Sequence, residues 1–169
     1  MNIYNLDSRN LEILSSIHNI YIPKRKKNFQ IKSITNYNSS ENKKLLQPII
    51  DTSIKILDKF NKIKYDKDKY FIEFQQRNCS YEKFTHPFIW HKDDYSTIPW
   101  KTYTIVFYIR KDITVKNGNF KYIINHKDYI QNINTGDVLC FDGNILHKPQ
   151  DSYGFGCRDT IVIFLKKLI

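Results

Sequence analysis

The sequence predicts a mainly β domain preceded by helices, arranged as a β-sandwich or β-barrel. From Tyr70 onward, short apolar strands are separated by turn residues at intervals of about 8–12 residues, as is typical of these architectures. Before that point, apolar residues recur at helical spacing. Because 169 residues fit one domain, we expect a single domain over 1–169, with 1–69 as helical and outer-strand support and 70–169 as the β core.

The N-terminal part carries the helical patterns. Asp7-Ser8 is a capping pair for an amphipathic helix whose apolar positions are Leu11, Ile13, Leu14 and Ile17. Alternation over 29–34 predicts an outer strand. Helical spacing returns from Leu45 to Phe60, and Pro48 is expected near a helix start or at a break after Leu46. We expect these helices to pack on the outside of the sheet.

The β core is predicted from strand patterns and turn signals. Asn117-Gly118 and Asp142-Gly143 favour tight turns, and Gly136-Asp137 leads into another strand. The predicted strands are Tyr70–Gln76, Phe88–Asp93, Trp100–Arg110, Asn119–Ile124, Val138–Phe141, the segment that carries His147, and Cys157–Leu168.

Composition and charge limit the partners and the location that we expect for this protein. A net charge of +10 attracts anions, nucleic acid included, although lysines on solvated faces explain it as well. The basic run at 24–27 is either a phosphate contact or localisation signal, or a solvated loop, and we favour the loop. No apolar run of about 18 residues occurs, so no membrane span is expected.

The cysteines indicate the compartment. Cys79, Cys140 and Cys157 form no close pair and leave one over, which favours an intracellular, reducing compartment such as cytoplasm or nucleus. Met1–Asp7 lacks the basic-then-apolar layout of a signal peptide, so secretion is not expected. Cys140 alternates with apolar neighbours and is predicted to be a core residue.

Three residues have the spacing of a metal site. His91 and Asp93 are two apart and would project from the same face of a strand. His147 would complete a set of two histidines and one carboxylate, which suits non-haem Fe(II) with open positions for oxygen chemistry. The alternative is a β-sandwich that carries these residues by chance. We favour the metal, because Asp93 near Ile89 and Trp90 would be costly to bury alone.

The wider motif order resembles a known family. His91-x-Asp93, then His147 after 53 intervening residues, then Arg158-Asp159-Thr160 after ten more is similar to the Fe(II)/2-oxoglutarate-dependent dioxygenases. The resemblance covers roughly 70–167. It implies a double-stranded β-helix, also called a jelly-roll or cupin-like fold.

The resemblance also implies roles for individual residues. His91, Asp93 and His147 would be the catalytic set that holds Fe(II), and Arg158 would bind the distal carboxylate of 2-oxoglutarate with its planar guanidinium. O2 would be the oxidant, and ascorbate is a further candidate cofactor. The remaining candidates for the cosubstrate pocket are Thr160, Thr104 and Tyr108, and a packing role is equally open for the last two.

Among branches of this family, the prolyl-hydroxylase-like one is the most similar. That branch implies hydroxylation of a protein side chain, coupled to decarboxylation of 2-oxoglutarate to succinate. The aromatic residues near the site include Tyr81, Phe84, Tyr95 and Trp100. The chain departs from the pattern at Gly118-Asn119, where a double glycine is usual, and at Phe107, near the expected place of a cosubstrate-binding Tyr.

Three alternatives remain open. A nucleic-acid oxygenase of the same superfamily is disfavoured because Phe164 stands where a second Arg is expected, although exposed aromatics suit base stacking. The others are a small-molecule oxygenase and a non-catalytic metal-binding jelly-roll module.

The other histidines are not expected to bind the metal. His126-Lys127-Asp128 repeats the His-Lys-Asp triplet but is expected at a surface hairpin end. His18 and His86 lack partners at ligand spacing.

Overall fold

The computed structural model describes residues 1–23, 29–35, 40–59, 64–79, 88–95 and 98–168. The basic run at 24–27, the turn-like stretch at 36–39, Tyr81, Phe84 and His86 therefore lie outside the described residues. The elements in chain order are β1 (Asn2–Asn5), α1 (Ser8–Tyr21), β2 (Phe29–Thr35), α2 (Ser40–Leu57), β3 (Tyr65–Cys79), β4 (Thr102–Lys111), β5 (Val115–Asn117), β6 (Phe120–Ile124), β7 (Lys127–Gln131), β8 (Asp137–Asp142), β9 (Leu146–Pro149), β10 (Ser152–Gly154) and β11 (Gly156–Lys167).

The strands form antiparallel sheets of unequal size. The largest sheet has the order β1-β8-β4-β11-β3-β2, a smaller one has the order β7-β6-β9, and β10 pairs with β5. Non-consecutive neighbours such as β8-β4-β11-β3 show that the chain crosses repeatedly between sheets, as in a jelly roll. The mainly β prediction with N-terminal helices is confirmed.

Strand alternation divides the apolar residues into two cores. On β4, Ile105 and Phe107 join the core beneath the helices, whereas Val106 and Tyr108 face the space between the sheets. β11 alternates in the same way, with Ile161 in the first core and Val162 in the second. Both faces of the central strands are therefore buried, which explains their long apolar runs.

The helices cover the outer face of the large sheet. α1 begins after Asp7, whose side chain accepts a hydrogen bond from the Asn10 backbone N–H at 2.8 Å, as the predicted cap requires. α2 is continuous through Pro48, so the expected break there is wrong. A proline inside a helix costs about 3 kcal/mol. Burial of the α2 residues against the sheet offsets this cost, and they are Leu46, Ile49, Ile50, Ile56 and Leu57.

Several predicted boundaries need correction. The segment 88–95 is not a regular strand; His91 forms only an isolated bridge with His147. β3 begins at Tyr65, five residues before the predicted start, and β1 was not predicted because its four residues are mostly exposed. Whether 1–69 and 70–169 form separate structural parts stays a prediction. No helix in the described ranges is long and apolar enough to cross a membrane.

Candidate metal centre and adjoining cavity

Three side chains from different parts of the chain converge at one point. His91 Nε2 lies 3.7 Å from Asp93 Oδ1, and His147 Nε2 lies 3.6 Å from the same oxygen. One ligand atom from each residue lies within 4.8 Å of the others. Two atoms bonded to one ion at about 2.0–2.2 Å can be separated by about 4.4 Å at most. The two distances from the histidine nitrogens to Asp93 Oδ1 therefore fit ligands of a single metal ion.

Backbone contacts orient both histidine rings. His91 Nδ1 lies 3.0 Å from the Ile89 carbonyl oxygen, and His147 Nδ1 lies 2.9 Å from the Ile145 carbonyl oxygen. A carbonyl only accepts, so each Nδ1 carries a proton, and in the neutral imidazole each Nε2 then keeps its lone pair. The bridge between His91 and His147 holds the two backbones together through reciprocal N–H to O bonds of 2.9 Å. Both lone pairs are thus available for a cation beside Asp93.

Burial adjusts the protonation of the site. It lowers the pKa of His147 to about 4, so this imidazole is neutral at physiological pH. It raises the pKa of Asp93 to about 6, against the opposing effects of the Thr104 hydrogen bond and the neighbouring His91. A divalent cation beside the two imidazole rings would provide the compensating charge that a buried carboxylate needs.

Asp93 is held by contacts on both its side chain and its backbone. Thr104 Oγ1 on β4 donates a hydrogen bond of 2.5 Å to Asp93 Oδ2, which leaves Oδ1 facing the histidines. The backbone N–H groups of Asp93 and Asp94 both donate to the Gly143 carbonyl, at 2.8 and 3.2 Å. A Cβ at position 143 would lie 2.4 Å from Thr102 Cγ2. Glycine is therefore required where the metal-binding segment meets the β8–β9 turn.

A cavity of about 320 Å³ extends from this centre between the sheets. The three candidate metal ligands line it, with His147 on β9 of the smaller sheet, and Arg158 lines it from β11 of the large sheet. The other lining residues are Phe29, Ile31, Glu73, Gln75, Phe88, Thr104, Val106, Tyr108, Phe120, Phe141, Pro149, Thr160, Val162 and Phe164. All seven residues singled out in the sequence thus surround one cavity.

Arg158 is a buried cation with one hydrogen-bonding position unused. Its Nη1 donates to the Gly118 carbonyl at 2.9 Å, whereas its Nε is buried with no hydrogen-bond partner. Gly118 has a φ of +68°, and a Cβ there would lie 3.1 Å from Ser152 Cβ and 3.4 Å from Arg158 Cδ. Burial lowers the pKa of Arg158, while the nearby Tyr108 opposes this effect. A carboxylate from a ligand in the cavity would satisfy this guanidinium.

The remaining candidates for the cosubstrate pocket are Thr160, Tyr108 and Thr104, and they lie at different positions around Arg158 and Asp93. Thr160 and Tyr108 are paired across β11 and β4, and both line the cavity, with the Thr160 hydroxyl 3.3 Å from Gln75 Oε1. Burial raises the pKa of Tyr108 to about 12, so it stays protonated. Thr104 contacts the metal-binding carboxylate. Contact of these three with 2-oxoglutarate stays a prediction. Phe107 belongs to the core beneath the helices.

Residues outside the predicted set also have clear positions. His18 is fully buried and lies 2.9 Å from the Gln75 carbonyl, a structural contact between α1 and β3. His126 lies at the exposed β6–β7 turn, as predicted. Cys140 is buried, and burial raises its pKa to about 12, consistent with a core residue.

Sequence reasoning missed the cavity-facing residues of β3. They are Glu73 and Gln75. Arg77, the next residue on the same face of β3, is buried and stacks on Phe88 with 3.7 Å between guanidinium carbon and ring centroid. The signal that would have found them was strand alternation. Ile72 and Phe74 belong to the core beneath the helices, so the odd-numbered residues between and beside them must face the cavity.

Solved structures share this architecture. A Pseudomonas putida prolyl-4-hydroxylase superposes with a TM-score of 0.65 at 10% identity, covering 99% of this chain and 92% of that one. A 2OG-Fe(II) oxygenase-family oxidoreductase from Burkholderia pseudomallei gives 0.68 at 13% identity, covering 95% and 79%. The fold is that of the 2OG-Fe(II) oxygenases.

A third similar structure is a prolyl hydroxylase from Trichoplax adhaerens in complex with a peptide fragment of the hypoxia inducible factor oxygen degradation domain. It gives a TM-score of 0.67 at 15% identity, covering 98% of this chain and 82% of that one. No protein-family model and no curated protein matches the chain. The resemblance drawn from the motif order is therefore supported by the fold, and the predicted double-stranded β-helix is confirmed.

Proposed function

We propose that this protein is an Fe(II)/2-oxoglutarate-dependent dioxygenase that hydroxylates a protein side chain. The observation that carries the proposal is one cavity with a three-residue cation site at one position and a buried, partly unsatisfied guanidinium at another. A cation suits the first of these positions and a carboxylate the second, and 2-oxoglutarate can supply that carboxylate. The similar folds of known oxygenases support an enzymatic role for the cation site and the guanidinium.

The residues present fit the two ligands. His91, Asp93 and His147 would hold Fe(II) on one face, leaving positions open for cosubstrate and O2. Arg158 would bind the distal carboxylate of 2-oxoglutarate. When bound, Fe(II) supplies the oxygen chemistry, in which 2-oxoglutarate is oxidised to succinate and CO2 while one oxygen atom enters the substrate C–H bond.

The chain's own residues would orient and protect this chemistry. Thr104 fixes the Asp93 carboxylate, and the Ile89 and Ile145 carbonyls fix both histidine tautomers. Phe120 and Phe141 pack against the His147 ring, with centroids 5.1 and 4.8 Å away, and exclude water from that side. His147 and Arg158 are buried, whereas the His91 side chain is 38% exposed. The substrate would therefore approach from the side of His91.

A protein substrate is the favoured target. One structure of the same fold, the Trichoplax adhaerens prolyl hydroxylase, holds a peptide fragment. The reducing compartment expected from the cysteines is compatible with Fe(II), and Cys79, Cys140 and Cys157 are all free and buried. We propose an intracellular protein substrate on these grounds.

The proposal is tested by succinate formation from 2-oxoglutarate with Fe(II), O2 and ascorbate. His91→Ala and Asp93→Ala are expected to abolish turnover, because each removes a metal ligand. His126→Ala is the matched control, since it removes a histidine from an exposed turn and should leave turnover unchanged. Metal retention without any 2-oxoglutarate consumption by the wild type would identify a non-catalytic binding module and refute the proposal.

A further inference from the structure

The large sheet forms one wall of the cavity, and this wall has two parts of different chemistry. β4 and β11 supply the part with Thr104, Tyr108, Arg158 and Thr160, which the proposed metal and cosubstrate would use. The adjoining part of the same sheet comes from β3 and the edge strand β2. Its apolar members are Phe29 and Ile31 from β2. Its polar members are Glu73 and Gln75, and the proposed reaction gives them no role.

Sheet register fixes Glu73 on the cavity side. Glu73 pairs with Val162 on β11 and with Ser33 on β2. Val162 lines the cavity, and cross-strand partners project from the same face. One step along β3, Gln75 pairs with Thr160 and Ile31, which also line the cavity. The two β3 side chains therefore belong to the cavity wall.

Gln75 holds Glu73 in place. Its Nε2 donates a hydrogen bond of 2.8 Å to Glu73 Oε2, and its Oε1 accepts one of 3.3 Å from Thr160 Oγ1. The Gln75 amide thus connects the wall near Arg158 to the carboxylate. A side chain that is fixed in this way is pre-organised for recognition, because less conformational entropy is lost when a ligand binds.

Among the described residues, no basic side chain forms an ion pair with Glu73. Burial raises the pKa of Glu73, and the nearby Asp93 raises it further, while the Gln75 hydrogen bond and His91 oppose this shift. A half-buried carboxylate with one amide hydrogen bond and no ion pair is unfavourable unless a ligand supplies a positive charge or further hydrogen-bond donors.

The charge balance of the cavity with Fe(II) and 2-oxoglutarate bound also favours a positively charged ligand beside Glu73. Fe(II) and Arg158 together would neutralise Asp93 and the dianion of 2-oxoglutarate. Arg77 is stacked between Phe29 and Phe88, and the carboxylate of Asp151 opposes the lowering of its pKa. An ionised Glu73 would then be an unbalanced negative charge beside the reacting centre. A neutral substrate would bury this charge, whereas a cationic one would neutralise it.

We propose that Glu73 recognises a cationic nitrogen group of the substrate, with Gln75 as its positioning residue. The chemical class is a basic side chain, ammonium or guanidinium, and the inference rests on the proposed oxygenase function. Lysine or arginine within a protein and the free basic amino acid share this chemistry. The apolar residues Phe29 and Ile31 would contact the methylene stem of such a side chain.

Binding without turnover gives the first test. The protein is loaded with Fe(II) and 2-oxoglutarate in the absence of O2, and calorimetry measures Kd for acetylated tripeptides with a central Lys, Arg, norleucine or Pro. Free L-lysine and L-arginine form separate arms that distinguish a protein from a metabolite substrate. We expect a basic probe to bind at least about 10-fold more tightly than norleucine, because a hydrogen bond to a charged group is worth about 1.5–3 kcal/mol.

Variants then connect the preference to one carboxylate. Glu73→Gln should weaken binding of the basic probe by about 10- to 100-fold and leave the norleucine probe unchanged. Glu73→Asp, which keeps the charge, should recover part of the affinity. The control is Glu12→Gln, the same change on the exposed face of α1. Thermal melting and 2-oxoglutarate affinity of the variants should match the wild type.

The outcomes separate this inference from the proposed function. Equal affinity for basic and norleucine probes, or no loss in Glu73→Gln, would overturn the role of Glu73 while substrate-independent succinate formation still supported the oxygenase. Loss of Fe(II) or 2-oxoglutarate binding in Glu73→Gln would place Glu73 in the metal or cosubstrate site and also overturn it. If the wild type forms no succinate, the proposed oxygenase function fails. The calorimetric comparison of wild type and Glu73→Gln then still decides whether Glu73 binds a cationic group.

Discussion

The hydrogen bond from Thr104 to Asp93 offers the sharpest single perturbation. Thr104→Val keeps the shape of the side chain but removes the donor that lies 2.5 Å from Asp93 Oδ2. Both residues are buried, so water cannot easily replace the lost bond. A hydrogen bond to a charged group is worth about 1.5–3 kcal/mol, which corresponds to about a 10- to 150-fold change in an equilibrium constant. Loss of such a supporting contact to a metal ligand typically costs 10- to 100-fold in metal affinity.

Metal affinity is the property to measure, by competition of Fe(II) or Mn(II) with a chelator in the absence of 2-oxoglutarate. Thr160→Val is the matched control, because it removes a hydroxyl from the neighbouring β11 that bonds Gln75 and not a metal ligand. We expect a loss of about 10- to 100-fold for Thr104→Val and little change for Thr160→Val. Equal metal affinity in Thr104→Val and wild type would refute the view that this hydroxyl supports the carboxylate.

Three further predictions concern other parts of the site. Arg158→Ala should raise KM for 2-oxoglutarate by about 10- to 150-fold in steady-state assays, whereas an unchanged KM would remove Arg158 from the cosubstrate pocket. Gly143→Ala should lower Tm by about 2–12 °C in calorimetry, because its Cβ would overlap Thr102 and overpacking costs about 1–3 kcal/mol. Metal affinity should fall about fivefold as pH decreases from 6 to 5, because the metal must displace the proton from Asp93 with its raised pKa of about 6, while His147 at about 4 stays largely neutral. A flat chelator-competition profile would contradict this.

The metal-binding residues were predictable because their chemistry is tied to residue type and order. Few residue types can bind a divalent cation, and His91, Asp93 and His147 have an ordered spacing that a downstream Arg158 makes more specific. Their convergence did not require the predicted strand. A single bridge to His147 and the Gly143 carbonyl are enough to position 91–93. Spacing thus predicted that these three side chains converge, although the predicted local strand was wrong.

Other features depend on tertiary contacts that local patterns do not contain. Pro48 is tolerated within α2 because burial of that helix outweighs the local cost. The register shifts between Asp159 and Thr160, so that Arg158 pairs with Lys111 but Thr160 pairs with Tyr108. An odd-numbered residue of β4 therefore lies opposite Arg158 and an even-numbered one opposite Thr160, which simple strand alternation does not predict. Glu73 was read only as part of a strand, because its importance depends on which sheet face becomes the cavity.

The position of each strand in the large sheet has a consequence for how such proteins diversify. β4 and β11 lie in the interior with neighbours on both sides, whereas β2 is an edge strand and reaches the cavity only through its inward residues. Replacements on an interior strand disturb two interfaces at once, while those on an edge strand disturb one. Selection for a new target can therefore act on β2 with little damage to the oxidising centre. A lineage built this way would retain its chemistry while the molecules it modifies change.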